Sequence, residues 1–158
     1  MKQTNLCLLV KEGKILLAMK RRGFGAGKWN GTGGKFDPAK GDKNILDAAI
    51  RETKEEIGVE MKNPEKVGVF HFHFPYKPEW DQDTHVFLYK EFVGNPEESE
   101  EMTPQWFVLS EIPYDKMWDE DKYWMPMILD GKKIEGDFIF EEGEKLLKQE
   151  IKIVESWI

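Results

Sequence analysis

Glu52, Glu55 and Glu56 are the residues of this sequence whose type and spacing most directly suggest chemistry. Separated as i, i+3 and i+4, they become neighbours if the segment is helical. Counting ~100° per residue from Leu46, they fall at roughly 240°, 180° and 280°, away from the stripe of Leu46, Ala49, Ile50, Thr53 and Ile57. Carboxylates so placed repel one another by about a few tenths of a kcal/mol per pair, and Arg51 and Lys54 offset this only in part. A hard divalent cation would remove the conflict, because Mg²⁺ takes oxygen ligands and keeps substrate phosphates in its shell. A solvated acidic helix face is the alternative, and the surrounding sequence decides between the two. Just upstream, Gly33-Gly34-Lys35 is a stretch whose backbone can approach a ligand closely.

The helix that must carry these carboxylates is predicted over residues 45–57. Asn44 with Asp47 reads as a capping pair at its start, and Gly58 is a natural residue just past its end. Residues 4–10 and 14–19 predict two strands joined by a turn at Glu12-Gly13. A glycine-rich loop follows over 23–34, holding Phe24, Trp29 and Asn30. Strands are expected at 66–74 and 84–93, separated by a Pro/Asp-containing connection at 75–83, with a further short strand at 106–109. A short helix over 121–130 is expected to tolerate Pro126 near its first turn. The tail beyond 137 fits strand-turn-strand or strand-helix, and periodicity leaves both open. With no repeat, linker or low-complexity run, residues 1–158 read as a single domain.

Composition narrows the function classes. A chain of 158 residues with 40% hydrophobic content is large enough to build its own core. Its one cysteine, Cys7, excludes an internal disulfide and a multi-cysteine metal site, which suits a reducing cytoplasm. The apolar run 6–10 is far too short for a membrane span. The net charge is −7, distributed as +6 over residues 1–29, −2 over 30–90 and −11 over 91–158. That acidic body argues against a nucleic-acid binder, which needs a broad basic face. A small basic segment on an acidic body suits a local phosphate contact instead.

The run Arg51-Glu52-Thr53-Lys54-Glu55-Glu56-Ile57-Gly58-Val59, with Gly34 upstream, is similar to the Nudix box, G-x5-E-x7-R-E-U-x-E-E-x-G-U. Residues 51–59 match it throughout except for Thr53 at a usually aliphatic position. The front half departs: the gap from Gly34 to Arg51 is three residues longer, through Asp37-Pro38-Ala39-Lys40. Where the motif has the glutamate that supports its arginine, this chain has Lys43, with Asp42 beside it. Residues 19–31 and 115–126 resemble the substrate loop and the base-recognition segment of the oxidised purine nucleoside triphosphatase (8-oxo-dGTPase) branch of the MutT/Nudix family, and residues 84–87 and 98–102 also fit.

The resemblance implies an α+β fold with a mixed β-sheet sandwiched between α-helices, and favours strand-turn-strand for the tail. It implies Mg²⁺ (or Mn²⁺) held by Glu52, Glu55, Glu56, Glu101 and the Gly33 carbonyl, with the first three glutamates catalytic. Asn5, Lys20, Asn30, Thr32, Gly33, Gly34 and Lys35 would contact the nucleotide, and Phe24, Phe72, Trp118 and Trp124 would wall in the base. The pair Glu120 and Asp121 would read the purine edge, and Asp119 beside them is counted among the substrate-binding residues. Here the family's Trp-Pro-Asp-Asp is Trp118-Asp119-Glu120-Asp121, so Glu120 is one methylene longer than the expected aspartate. The implied function is hydrolysis of oxidised purine (deoxy)nucleoside triphosphates such as 8-oxo-dGTP and 2-oxo-dATP to the monophosphate and pyrophosphate. A general Nudix hydrolase and a non-catalytic nucleotide sensor are the alternatives. The expected setting is a cytoplasmic monomer with a small-molecule nucleotide substrate and neither nucleic-acid nor membrane partners.

Other signals read as structural. The glycine loop lacks the third glycine of a dinucleotide fingerprint, which would be residue 28 but is Lys28. It also lacks the Ser or Thr of a phosphate-binding loop, having Trp29 after Gly27-Lys28. His71 and His73 read as alternate residues of one strand face, Cys7 as a small core residue, and Trp106-Phe107 as core packing.

Overall fold

The computed structural model describes residues 1–157. Its strands are β1 (Lys2–Lys11), β2 (Lys14–Lys20), β3 (Trp29–Asn30), β4 (Glu60–Lys62), β5 (Glu65–His73), β6 (Gln82–Tyr89), β7 (Glu91–Val93), β8 (Met102–Val108), β9 (Lys133–Glu141) and β10 (Lys145–Val154). Two α-helices, α1 (Ile45–Ile57) and α2 (Asp121–Leu129), complete the fold. The main sheet runs β10-β9-β5-β6-β1-β2-β3, with β8 also paired to β2. β1 pairs with β6 in parallel, as does β5 with β9, while the other pairings are antiparallel. The sheet is therefore mixed, and the tail is strand-turn-strand.

The middle of β1 and of β2 is a run of buried apolar residues, Leu6–Leu9 and Ile15–Ala18, because both faces of the sheet are covered there. Along β1, Leu6 and Leu8 join one core with Ile15 and Leu17 of β2 and with Trp124, Met125 and Ile128 of α2. Cys7 and Leu9 point the other way, into a core with Leu16, Ala18 and, from α1, Ala49 and Ile57. Period-2 alternation thus sends successive residues to different helices. The two helices sandwich the sheet.

α1 begins and ends where its capping signals lie. The Asn44 side chain accepts the N–H of Asp47 at 2.9 Å, and Gly58 adopts φ 73°, the left-handed conformation that glycine takes without a Cβ penalty. Elsewhere local signals mislead. The strand expected over 84–93 breaks at Lys90, since β7 leaves the main sheet to pair with β4, a short strand that the sequence pattern did not reveal. Pro126 sits in the second turn of α2, not the first. The 75–83 connection carries a 3₁₀ turn at Pro78–Trp80. Trp106 is exposed on the edge strand β8, so only Phe107 of that pair packs inward, edge-to-face with Trp29 at 5.0 Å. No helix among the described residues is long and apolar enough to cross a membrane.

Candidate active site

Residues 32–36 run alongside β1 like an extra strand. Cys7 N–H donates to the Thr32 carbonyl at 2.7 Å, Asn5 N–H to Gly34 at 2.9 Å, and Phe36 N–H to Gln3 at 3.1 Å. The fit leaves no room for side chains at two positions. A Cβ at Gly33 would lie 2.0 Å from the Asn5 carbonyl oxygen, and one at Gly34 would lie 2.4 Å from the Glu52 carboxyl carbon. The glycines thus bring the backbone against the carboxylate face of α1.

That face is partly buried. The Glu56 side chain is almost wholly enclosed, and its Oε1 accepts the Gly33 N–H at 2.9 Å. Burial pushes its carboxyl up to about 8; neighbouring Glu52 and Glu101 add to the rise, while the Gly33 amide and Lys20 oppose it. Burial also raises Glu52, against the pull of Arg51. Arg51 organises the group. Its Nε and Nη2 form a two-pronged contact with Asp42 at 2.9 and 2.8 Å, and its Nη1 reaches Glu52 at 2.9 Å and Glu55 at 3.3 Å. Asp42, held below the usual carboxylate range by that hydrogen bond, therefore supplies the support that the displaced motif position Lys43 does not.

The three-residue insertion makes this possible. Asp37 caps a 3₁₀ turn at Pro38–Lys40 by accepting the Ala39 N–H, Gly41 turns the chain back with φ 92°, and Asp42 arrives at Arg51.

Among the described residues no three His, Cys, Asp or Glu side chains already converge on one ion-sized point. The glutamates of α1 are held instead by Arg51 and the Gly33 amide. The donor set still fits a divalent cation: hard oxygens, mutually repelling and partly desolvated, with a carboxyl forced upward by burial and its neighbours. Glu101 is exposed, yet close enough to Glu56 to add to that repulsion.

Beside this face opens a cleft of about 330 Å³. Of the residues expected to bind substrate, Asn5, Lys20, Phe24, Asn30, Gly33, Gly34, Lys35, Phe72, Trp118, Glu120, Asp121 and Trp124 line it. Two do not. Thr32 is turned toward α1, its hydroxyl 2.7 Å from that of buried Thr53. Asp119 points out to β10 and accepts the Leu146 N–H at 3.0 Å.

Phe24, more than one-third exposed, sits at the rim with its ring 4.9 Å from Trp80 and 5.0 Å from Trp118. Deeper in, Glu120 and Asp121 are buried side by side at the start of α2. Asp121 Oδ1 accepts the Trp124 indole N–H at 3.1 Å, while Asp121 Oδ2 and Glu120 Oε2 have no partner. Burial raises both carboxyls, and repulsion from Asp121 raises Glu120 further. Sharing one proton, such a pair offers both a donor and acceptors to the edge of a flat heterocycle.

The cleft also contains residues that the sequence did not single out, including Thr4, Phe74, Trp80, Gln82, Thr84 and Phe140. Those on strands share alternation as a signal: Thr4 with Leu6, Gln82 with Thr84, and Phe138 with Phe140 project to one sheet face. Which face forms a cleft depends on tertiary packing.

Comparison with known proteins places this geometry. The NUDIX domain family matches residues 2–128. The oxidized purine nucleoside triphosphate hydrolase of Mus musculus is 42% identical over 152 residues, 96% of this chain and 95% of the relative. The protein of the same name from Danio rerio is 40% identical over 155 residues, 98% and 97% of the two chains. Among solved structures, a MutT protein from Bacillus halodurans superposes with a TM-score of 0.83 at 25% identity, over 96% of this chain and 98% of the other.

Proposed function

The chain belongs to the NUDIX family and is a Nudix hydrolase; from that premise we propose that it converts oxidised purine (deoxy)nucleoside triphosphates, of the 8-oxo-dGTP and 2-oxo-dATP type, to the monophosphate and pyrophosphate. The carrying observation is a buried acid pair inside an aromatic cleft whose Gly33-Gly34 wall backs onto the glutamates of α1. A sanitiser of this kind acts on free nucleotides as a single domain, and neither membrane nor nucleic acid enters the reading.

In this reading the base enters between the aromatic side chains, where stacking contributes ~1–3 kcal/mol with little regard to base identity. Glu120 and Asp121 supply the selectivity that stacking lacks, by hydrogen bonding to the purine edge. Lys20, Lys35 and the Gly34 amide receive the phosphates, while the Gly33 amide stays on Glu56. Glu52, Glu55, Glu56, Glu101 and the Gly33 carbonyl would hold Mg²⁺, or Mn²⁺ in its place, which when bound neutralises phosphate charge and lowers the pKa of water. Arg51, pinned by Asp42, orients Glu52 and Glu55. Glu56, held against the Gly33 amide, is a candidate to orient or deprotonate the attacking water, and Glu52 stands beside it as the other.

Initial rates on 8-oxo-dGTP, 2-oxo-dATP, dGTP and dATP with Mg²⁺ test the proposal. The oxidised nucleotides are expected to be favoured in kcat/KM, and Glu56→Gln to lose roughly 10²-fold or more in kcat while unfolding at a similar temperature. Equal rates on all four nucleotides would indicate a general hydrolase, and near-normal turnover by the variant would overturn the role of Glu56.

A further inference from the structure

Gln82, at the start of β6, lines the cleft and is held by hydrogen bonds at both ends of its amide. Its Nε2 donates to the Trp80 carbonyl at 3.0 Å, and its Oε1 accepts from the Thr4 hydroxyl at 3.0 Å. The orientation follows from chemistry. A backbone carbonyl only accepts, so the nitrogen must face Trp80 and the oxygen must face Thr4. Thr4 directs its one proton to Gln82 Oε1, with the Asp83 carbonyl as a longer second acceptor at 3.3 Å, so the Thr84 hydroxyl, 2.8 Å away, must donate to Thr4 in turn. This chain of hydroxyls is buried and prevents the amide from flipping. The second N–H on Nε2 has no protein acceptor among the described residues.

From this geometry we infer that Gln82 is a specificity-determining residue, its fixed N–H donating to an acceptor on the purine base. The inference rests on the nucleotide reading above. Position favours the base over the sugar or phosphates. Gln82 is anchored to Trp80, whose ring packs 4.9 Å from Phe24 and 5.7 Å from Phe74, and its cross-strand partner on β5 is Phe72. Gln82 therefore lines the cleft together with those aromatic side chains. Unlike the acid pair, a primary amide does not titrate, so it offers the same group at every pH. A cleft with one invariant donor and one proton-sharing acid pair reads two polar features of the same base.

The test compares wild type with Gln82→Met, which keeps side-chain length but removes the donor, and with Thr4→Val, which keeps Gln82 but frees its amide. Titration with 8-oxo-dGMP reads binding, and kcat/KM on the four triphosphates reads selectivity. Gln82→Met is expected to weaken 8-oxo-dGMP binding about tenfold and to change the preference among bases by a similar factor, acting more on KM than on kcat. Thr4→Val should lose part of that, and Thr4→Ser should restore it. Three results would each overturn the inference: equal losses on all four bases, no loss of binding, or an effect that differs between 8-oxo-GTP and 8-oxo-dGTP, which would assign the contact to the sugar. The binding readout is independent of turnover. If wild type binds 8-oxo-dGMP but hydrolyses nothing, the hydrolase reading fails while the titrations still decide the role of Gln82; if wild type does not bind it, this inference fails.

Discussion

At the scale of single residues, burial gives carboxyl groups their character in this molecule. Glu120 and Asp121 carry no lysine or arginine partner and lie under aromatic walls, so desolvation favours their protonated forms. The sign of the consequence is definite. The unfolded chain releases both protons from about pH 4 upward. The folded chain retains them longer, so it binds more protons in that window, and stability falls as pH rises through the folded values. Glu120→Gln and Asp121→Asn, which mimic the protonated acids, are expected to flatten the fall. Each should raise the unfolding midpoint at pH 8 relative to wild type by at least ~3 °C, since one pKa unit is about 1.4 kcal/mol and a domain of this size gains ~2–4 °C per kcal/mol. Thermal unfolding at pH 5 and pH 8 checks this, and parallel profiles for variant and wild type would refute it. Asp121→Asn keeps an oxygen for the Trp124 indole, so the comparison isolates the proton.

Among the elements, α1 and the strand-like loop beside β1 form one device. The helix was legible because each of its signals is local: apolar spacing, an Asn44 cap and a Gly58 stop act within a few residues. The loop was legible only as glycine-rich. That Gly33 and Gly34 face different neighbours emerges from the packing, and it predicts different outcomes for the same substitution. Gly33→Ala drives a Cβ into the fixed backbone of β1, so the protein is expected to lose several °C of stability or fail to accumulate. Gly34→Ala meets the Glu52 side chain first, which can swing aside, so the fold should survive while kcat falls at least ~10-fold. Thermal unfolding and initial rates on the two proteins separate these effects; the reverse ranking would show that the loop is looser than its contacts imply. The insertion over 37–40 was visible as a departure from the motif, but its function was not. Only the folded turn shows that it carries Asp42 to Arg51 in place of the missing glutamate.

For the molecule as a whole, the sheet order assembles a site from distant pieces of chain. β1 and β6 pair in parallel, which sets Thr4 beside Thr84, and the helices on opposite faces carry the glutamates of α1 and the buried acid pair of α2 separately. In the proposed reading, the repulsion stored on α1 links cation binding to the stability of the entire fold, because a ligand that binds only the native state stabilises it by mass action. Millimolar Mg²⁺ is therefore expected to raise the wild-type unfolding midpoint by a few °C, and Glu56→Gln to lose most of that gain. Calorimetry with and without chelator checks this; an equal gain in the variant would show that the cation binds elsewhere.

The −7 charge has the same organisation: lysines near the strand-like loop, glutamates on α1, and the two acids of α2 enclosed among aromatic rings. The sequence by itself determined the family motif, the bounds of α1 and most of the strands, because motif spacing, capping and periodicity act over a few residues, and its family resemblance pointed to half of the residues that line the cleft. Tertiary structure decided what needs partners far along the chain. It turned Thr32 toward α1 and Asp119 toward β10, exposed Trp106, diverted β7 to β4, and fixed the Gln82 amide through Thr4 and Thr84. Strand pairing and burial are long-range properties, and both the neighbour of a polar atom and the proton it holds depend on them.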